Sequence, residues 1–164
     1  MKKMVRIFTL LTFAFSLLIS MGVKAQKTTN APSAQQNVFA KGQKVSNQNM
    51  TGTVWMNVLT PSDSIFNYHI ASVTFEPGAR THWHTHPGGQ LLLATEGLGY
   101  YQEKGKSIQL FRKGDVIKCA PDIEHWHGAS PNSEFIHIGI TNNTAKGLFV
   151  WLQRVTDEEY NSIK

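Results

Sequence analysis

The sequence predicts an all-β domain, a sandwich or a barrel, and three observations lead to this prediction. From about Met50 onward, short runs rich in β-branched and aromatic residues alternate with turn residues. Glycines at positions 78, 88, 97, 105, 114 and 128 separate these runs at the spacing typical of sandwiches and barrels. The chain has 164 residues, of which 41% are hydrophobic and 16% charged, so it fits one ordinary globular domain.

Eight strands and one helix are expected along this domain. The strands are residues 53–59, 66–75, 91–95, 99–103, 107–111, 115–118, 134–141 and 148–155. Residues 156–164 have a helical pattern, with Thr156 as the N-cap and Glu159 three residues later in a capping box. The sequence therefore predicts a β domain over residues 50–155, followed by a short C-terminal helix.

Residues 1–25 have the pattern of a secretory signal peptide. A cationic start precedes a nearly uninterrupted apolar run over residues 7–23, and Ala25 offers a small residue at a cleavage point. We expect export to the periplasm or the medium, with no stable membrane anchor after cleavage. An uncleaved anchor is the alternative, because the run approaches the length that spans a bilayer. Residues 26–49 are rich in Gln, Asn, Ser and Thr and are interpreted as a flexible linker or a loosely docked arm.

The charge balance argues against a nucleic-acid partner. The formal net charge is +5, but four of the 16 basic residues lie in residues 1–25, which contain no Asp or Glu. The rest of the chain has 12 basic and 11 acidic residues, so no strong positive field is left to attract a polyanion. Cys119 is the only cysteine in the sequence, which excludes an intramolecular disulfide framework and a multi-cysteine metal site.

Histidine is the residue type that points to chemistry. Five of the seven histidines fall in two clusters, in which they alternate with other residues: His82, His84, His86, His125 and His127. Successive side chains of a strand point to opposite faces, so the members of each cluster would project to one side. A single histidine on an apolar face is usually a satisfied core residue, but packing alone does not require five costly polar rings. The pattern therefore favours a metal or catalytic site built from two strands.

The first cluster lies in a string that resembles the first motif of the cupin superfamily, as found in type-2 cupins. That motif is a glycine, five residues, His-X-His, three or four residues, a glutamate or its substitute, six residues and a glycine. These positions are held here by Gly78, His84, His86, Gln90 and Gly97.

The second cupin motif matches in part. Gly114 opens it and His125 closes it, but Ala120 and Asp122 stand where proline and glycine are usual. The resemblance covers about residues 66–141 and implies a single jelly-roll barrel. It also implies one bound metal ion with four protein ligands, which are His84, His86, Gln90 and His125.

An amide at position 90, where glutamate is usual, changes the expected chemistry. A divalent ion held by three neutral imidazoles and an amide oxygen keeps its full charge, which makes it a stronger Lewis acid. Mixed nitrogen and oxygen ligands suit manganese, iron, zinc, nickel or copper, and the spacing of the ligands does not choose among these metals.

A narrower resemblance adds an activity. In the strings at 74–81, 83–87, 125–129 and 137–138, the sequence is similar to small bacterial cupins that act as manganese-dependent hydroxynitrile lyases of the (R)-mandelonitrile lyase type. This resemblance implies a bound manganese ion and reversible cleavage of a cyanohydrin to an aldehyde and cyanide. It implies that His127 and His137 are the acid and base residues. It also implies a homo-oligomer, a dimer or a tetramer.

The walls of the pocket are predicted coarsely. Ala71 and Val73 alternate on one face of the strand before the first motif, and His82 shares a face with the ligands. An apolar interior around a metal suits a small aromatic or aliphatic substrate. Two other functions stay open, because a fold and a metal site do not fix a reaction. They are an oxygen-using cupin oxidoreductase or dioxygenase with the same three-histidine site, and a non-catalytic periplasmic cupin that binds a metal or a small molecule.

Overall fold

A computed structural model describes residues 37–163, and almost all of its regular structure is antiparallel sheet. The strands are β1 (Gln43–Lys44), β2 (Met50–Thr51), β3 (Val54–Thr60), β4 (Tyr68–Phe75), β5 (Arg80–Thr81), β6 (His84–Thr85), β7 (Gln90–Glu103), β8 (Gln109–Arg112), β9 (Val116–Cys119), β10 (His125–Ala129), β11 (Phe135–Asn142) and β12 (Val150–Trp151). Three short helical pieces complete the described chain: the 3₁₀ turns Asn47–Asn49 and Thr144–Lys146, and helix α1 (Asp157–Tyr160). The all-β prediction is confirmed, whereas the expected signal peptide over residues 1–25 lies outside the described residues.

The strands form one strongly curled sheet. Its order is β1-β3-β4-β11-β7-β10-β5-β2, and every pair is antiparallel. Strand β7 is long enough to pair with β11 and β9 along its first part and with β10 and β8 along its second part. It therefore belongs to both walls of the curled sheet and brings the strands that carry the two histidine clusters together.

Strand β7 corrects the prediction of two separate strands over residues 91–95 and 99–103. A glycine between two such runs predicts a turn, but Gly97 adopts a φ of 75° inside one continuous strand. Glycine tolerates a positive φ without steric cost, so the strand bends there and does not reverse. A second correction concerns residues 148–155, of which only β12 is a strand.

The end of the described chain folds back onto the sheet. Thr156 and Glu159 form the expected capping box, in which the Thr156 hydroxyl accepts from the Glu159 amide at 3.1 Å. Tyr160 is buried, and its hydroxyl donates to the Ala129 carbonyl at 2.8 Å. The helix itself is only the four residues of α1, shorter than the expected segment 156–164.

Two apolar clusters lie on opposite faces of the sheet. One is built around Phe75, Leu92, Phe111 and Phe135, and the other contains Trp83, Tyr100, Trp126, Val155 and Tyr160. Because the two tryptophans alternate with histidines in sequence, their burial in the second cluster turns those histidines toward the opposite face. Within residues 37–163, no helix has the length and the apolar composition needed to cross a membrane.

Candidate metal centre

The two histidine clusters meet where β6 and β10 pair. His84 and His125 are direct partners in the antiparallel register, and their ring centroids lie 4.3 Å apart. His86 follows β6, with its ring centroid 5.1 Å from that of His84, and Gln90 is the first residue of β7. All four side chains are buried. Further along β10, Gly128 permits the close approach of this strand to β5, because a Cβ there would lie 2.4 Å from the Ala79 carbonyl oxygen.

Backbone carbonyls fix the orientation of three imidazoles. The Nδ1 atom of His84 lies 2.9 Å from the His82 oxygen, and that of His125 lies 2.9 Å from the Ile123 oxygen. The Nδ1 atom of His86 lies 2.5 Å from the Leu148 oxygen. A carbonyl can only accept, so each Nδ1 carries the proton and each Nε2 keeps a free lone pair. This is the usual arrangement behind a metal-ligating histidine.

Three buried acceptor atoms of the candidate ligands are unpaired. The Nε2 atoms of His86 and His125 and the Oε1 atom of Gln90 have no hydrogen-bond partner within the described part of the chain. Leaving a buried acceptor unpaired costs about 1–3 kcal/mol. A divalent cation would satisfy these nitrogen and oxygen donors together, so the residues present fit a bound metal.

The tightest cluster of potential ligands also includes His127. The ligand atoms of His84, His125 and His127 lie within 4.8 Å of one another, so a three-histidine site could hold a metal ion. The structure thus places His127, predicted as an acid or base residue, beside two of the predicted ligands. The four-ligand set from the motif and this three-histidine cluster share His84 and His125. The first set adds His86 and Gln90, whereas the second adds His127.

His137 on β11 completes a second histidine pair. Its ring centroid lies 4.8 Å from that of His127, and it stacks on Phe75 at 5.7 Å. Both ring nitrogens of His137 and the Nδ1 atom of His127 are buried without a hydrogen-bond partner among residues 37–163. Burial, and then the neighbouring His137 and other imidazoles, hold the pKa of His127 well below its usual range. Burial lowers the pKa of His137 to about 4. Both rings are therefore neutral near pH 7 and can accept a proton.

A cavity of about 290 Å³ opens onto these side chains. Most of its walls are apolar, and the predicted residues Ala71 and Val73 line it. The other lining residues are Val45, Met50, Val54, Met56, His69, Phe75, Thr81, His84, His86, Gln90, His127, His137, Gly139, Thr141, Leu148, Phe149 and Trp151.

His82 is not among the residues that line this cavity in the described chain. The extended run that was expected to carry it is broken, because β5 ends at Thr81 and β6 begins at His84. The alternation of faces therefore does not continue through His82. Its side chain is half-buried, and burial, followed by the charges of Arg154 and Arg80, lowers its pKa.

Several residues of the cavity wall are not predicted from the sequence. His69 had a readable signal, because it alternates with Ala71 and Val73 along β4 and lines the same cavity. Leu148 and Phe149 had none, because they lie in an irregular segment between the Thr144–Lys146 turn and β12.

Acid is expected to destabilise the metal-free protein. Burial lowers the folded-state pKa of His125 and His137 to about 4, whereas an unfolded chain binds these protons below about pH 6.5. The contribution of each of these histidines to the free energy of unfolding is therefore fully present above about pH 6.5. As the pH falls from there to about 4, the free energy of unfolding decreases by about 1.4 kcal/mol per pH unit for each such histidine. Thermal unfolding of chelator-treated protein should show the midpoint falling across this range. A midpoint that stays constant would contradict this expectation.

Comparisons with known proteins agree with this geometry. Residues 71–138 match the family model described as cupin domain. The chain is 43% identical over 110 residues to an (R)-mandelonitrile lyase from Granulicella tundricola, covering 67% of this chain and 84% of that protein.

Solved structures support the same fold. A cupin-like protein from Thermotoga maritima superposes with a TM-score of 0.77 at 46% identity, over 79% of this chain and 98% of that one. A predicted oxalate decarboxylase from Thermotoga maritima superposes with a TM-score of 0.55, over 67% of this chain and 91% of that one. At 19% identity, this second likeness concerns the fold alone.

Proposed function

The chain belongs to the cupin family, and from that premise we propose that it is a metal-dependent lyase that cleaves a cyanohydrin reversibly to an aldehyde and cyanide. The observation that carries the proposal is the placement of two buried, neutral imidazoles, His127 and His137, beside the candidate metal ligands and facing one apolar cavity. A simple metal-binding cupin does not need two further unpaired histidines there. The (R)-mandelonitrile lyase at 43% identity supports the same reaction class.

The proposed metal is manganese, held by His84, His86, Gln90 and His125. When bound by these neutral donors, a divalent ion supplies Lewis acidity toward an oxygen of the substrate. The backbone carbonyls behind the three imidazoles fix their rings for this task.

The proton transfers are assigned to His127 and His137. One neutral imidazole accepts the hydroxyl proton of the cyanohydrin, and the oxygen lone pair forms the carbonyl as the carbon–cyanide bond breaks. The electron pair of that bond leaves with cyanide, and the imidazolium returns the proton to give hydrogen cyanide. The apolar side chains of Phe75, Val73 and Met56 exclude water and suit a small aromatic or aliphatic substituent.

Two further parts of the proposal rest on the sequence. We propose that residues 1–25 direct export and are removed, so that the enzyme acts in the periplasm or outside the cell. We also propose a homo-oligomer, a dimer or a tetramer, with a small-molecule substrate and no nucleic-acid partner.

Metal content and two assays test the function. The protein would be purified without chelator, analysed for bound elements, and assayed for benzaldehyde release from mandelonitrile and for oxygen uptake. We expect near-stoichiometric manganese, aldehyde release that depends on it, and no oxygen uptake. Bound iron or copper with substrate-dependent oxygen uptake would instead indicate the oxidoreductase. Bound metal without either reaction would indicate a binding protein.

A further inference from the structure

A chain of contacting side chains runs from the protein surface to the buried His125. Glu103 pairs with Lys106 at 2.5 Å, and the Tyr101 hydroxyl donates to the other Glu103 oxygen at 3.3 Å. The ring of Tyr101 packs against the imidazole of His125 with centroids 5.5 Å apart, and the Cys119 sulfur lies 3.1 Å from the Nδ1 atom of His125. Tyr101 and Glu103 lie on β7, Cys119 lies on β9 and His125 lies on β10. Cys119 contacts the Nδ1 atom of His125, so the Nε2 atom stays free.

Each polar group in this chain has a defined donor or acceptor role. The His125 Nδ1 proton is shared between the Ile123 carbonyl and the Cys119 sulfur. The thiol donates to the Ala120 carbonyl at 3.8 Å and to the Ile123 carbonyl at 4.0 Å, and the Tyr101 phenol donates to the Glu103 carboxylate. Burial raises the pKa of the Cys119 thiol to about 11 and raises that of the Tyr101 phenol as well. Hydrogen bonding to Lys106 lowers the pKa of Glu103. The thiol and phenol therefore stay protonated, and the carboxylate stays charged.

We propose that Cys119, Tyr101 and Glu103 are positioning residues that link a surface carboxylate to His125 and so hold its ring and strengthen its Nε2 atom as a metal donor. This inference rests on the proposed function only in taking His125 as a ligand. Outer partners of ligating histidines typically alter metal affinity 10- to 100-fold when they are removed. The Ile123 carbonyl stays in place without the chain, so the ring is not released completely.

The affinity for Mn²⁺ tests the proposal without using turnover. Competition with a chromogenic chelator would compare the wild-type protein with Cys119→Ala, Cys119→Ser and Tyr101→Phe. We expect roughly 10-fold weaker binding for Cys119→Ala and for Tyr101→Phe, and recovery to within about threefold of wild type for Cys119→Ser, because a hydroxyl can both accept and donate. Cys119→Ser also covers the case in which the alanine variant does not fold.

Tyr100→Phe is the matched control. Tyr100 is the neighbouring residue on β7, but it packs against Tyr160 on the opposite face, so its hydroxyl has no route to His125. Its removal should leave Mn²⁺ affinity unchanged. Equal affinities in the wild type, Cys119→Ala and Tyr101→Phe would overturn the proposal, and so would an equal loss in Tyr100→Phe.

A metal-free readout separates this proposal from the proposed function. In the chelated protein, nitrogen-15 spectra of the imidazoles report the His125 Nδ1 proton directly. We expect its resonance to move upfield in Cys119→Ala and in Tyr101→Phe as the hydrogen bond weakens. An unchanged resonance would contradict the positioning role. A wild-type protein without lyase activity would contradict only the assigned reaction.

Discussion

His84→Ala and His125→Ala are each expected to remove the bound metal and, with it, all measurable turnover. Both side chains are buried, face each other across β6 and β10, and belong to the motif ligands and to the three-histidine cluster. Loss of an outer partner costs 10- to 100-fold in metal affinity, so loss of a ligand should cost roughly 100-fold or more. Elemental analysis after desalting, with aldehyde release on the same samples, checks both effects.

His82→Ala provides the control for these two variants. His82 lies in the same segment of the sequence, but the described structure does not place its side chain in the cavity lining. We expect it to keep its metal and at least half of the wild-type activity. If His82→Ala lost as much metal as His84→Ala, the loss would come from a disturbed fold and not from the removal of a ligand.

Part of the candidate site could be predicted from the sequence alone. Spacing in the first motif places His84, His86 and Gln90 without any structure, because their positions follow from a short strand and the turn after it. Asp122 departs from the glycine of the second motif, yet it adopts a φ of 61°. Aspartate tolerates this left-handed conformation better than most residues do, so the turn before His125 is preserved.

Other parts of the site depend on contacts that are distant in sequence. Alternation predicted that His82 faces the ligands, but the break between β5 and β6 interrupts that pattern. The Leu148 carbonyl that orients His86 is 62 positions away, in an irregular segment that precedes β12. Likewise, the contacts of Cys119 and Tyr101 with His125 follow only from the pairing of β7 with β9 and β10. A single sequence carries no local signal for such partners.

Variants of His137 and His127 should separate acid and base chemistry from metal binding. His137→Asn is expected to keep the metal and lower kcat by roughly 10²- to 10⁴-fold, which is the usual contribution of a positioned acid or base. Its ring contacts His127 and Phe75 and lies outside the three-histidine cluster, so coordination should not change. Metal content and steady-state kinetics on one preparation test this directly, and parallel loss of metal and kcat would contradict the assignment.

His127→Asn decides between the two roles that the geometry allows for His127. If His127 transfers protons, this variant keeps its metal and loses kcat as His137→Asn does, whereas a ligand at this position would take the metal with it. We expect the first result, because His86 and Gln90 supply two further unpaired donor atoms to the ion. His69→Asn is the matched control, since His69 lines the cavity but lies outside the three-histidine cluster. Its kcat should change less than about tenfold, because it is assigned neither coordination nor proton transfer.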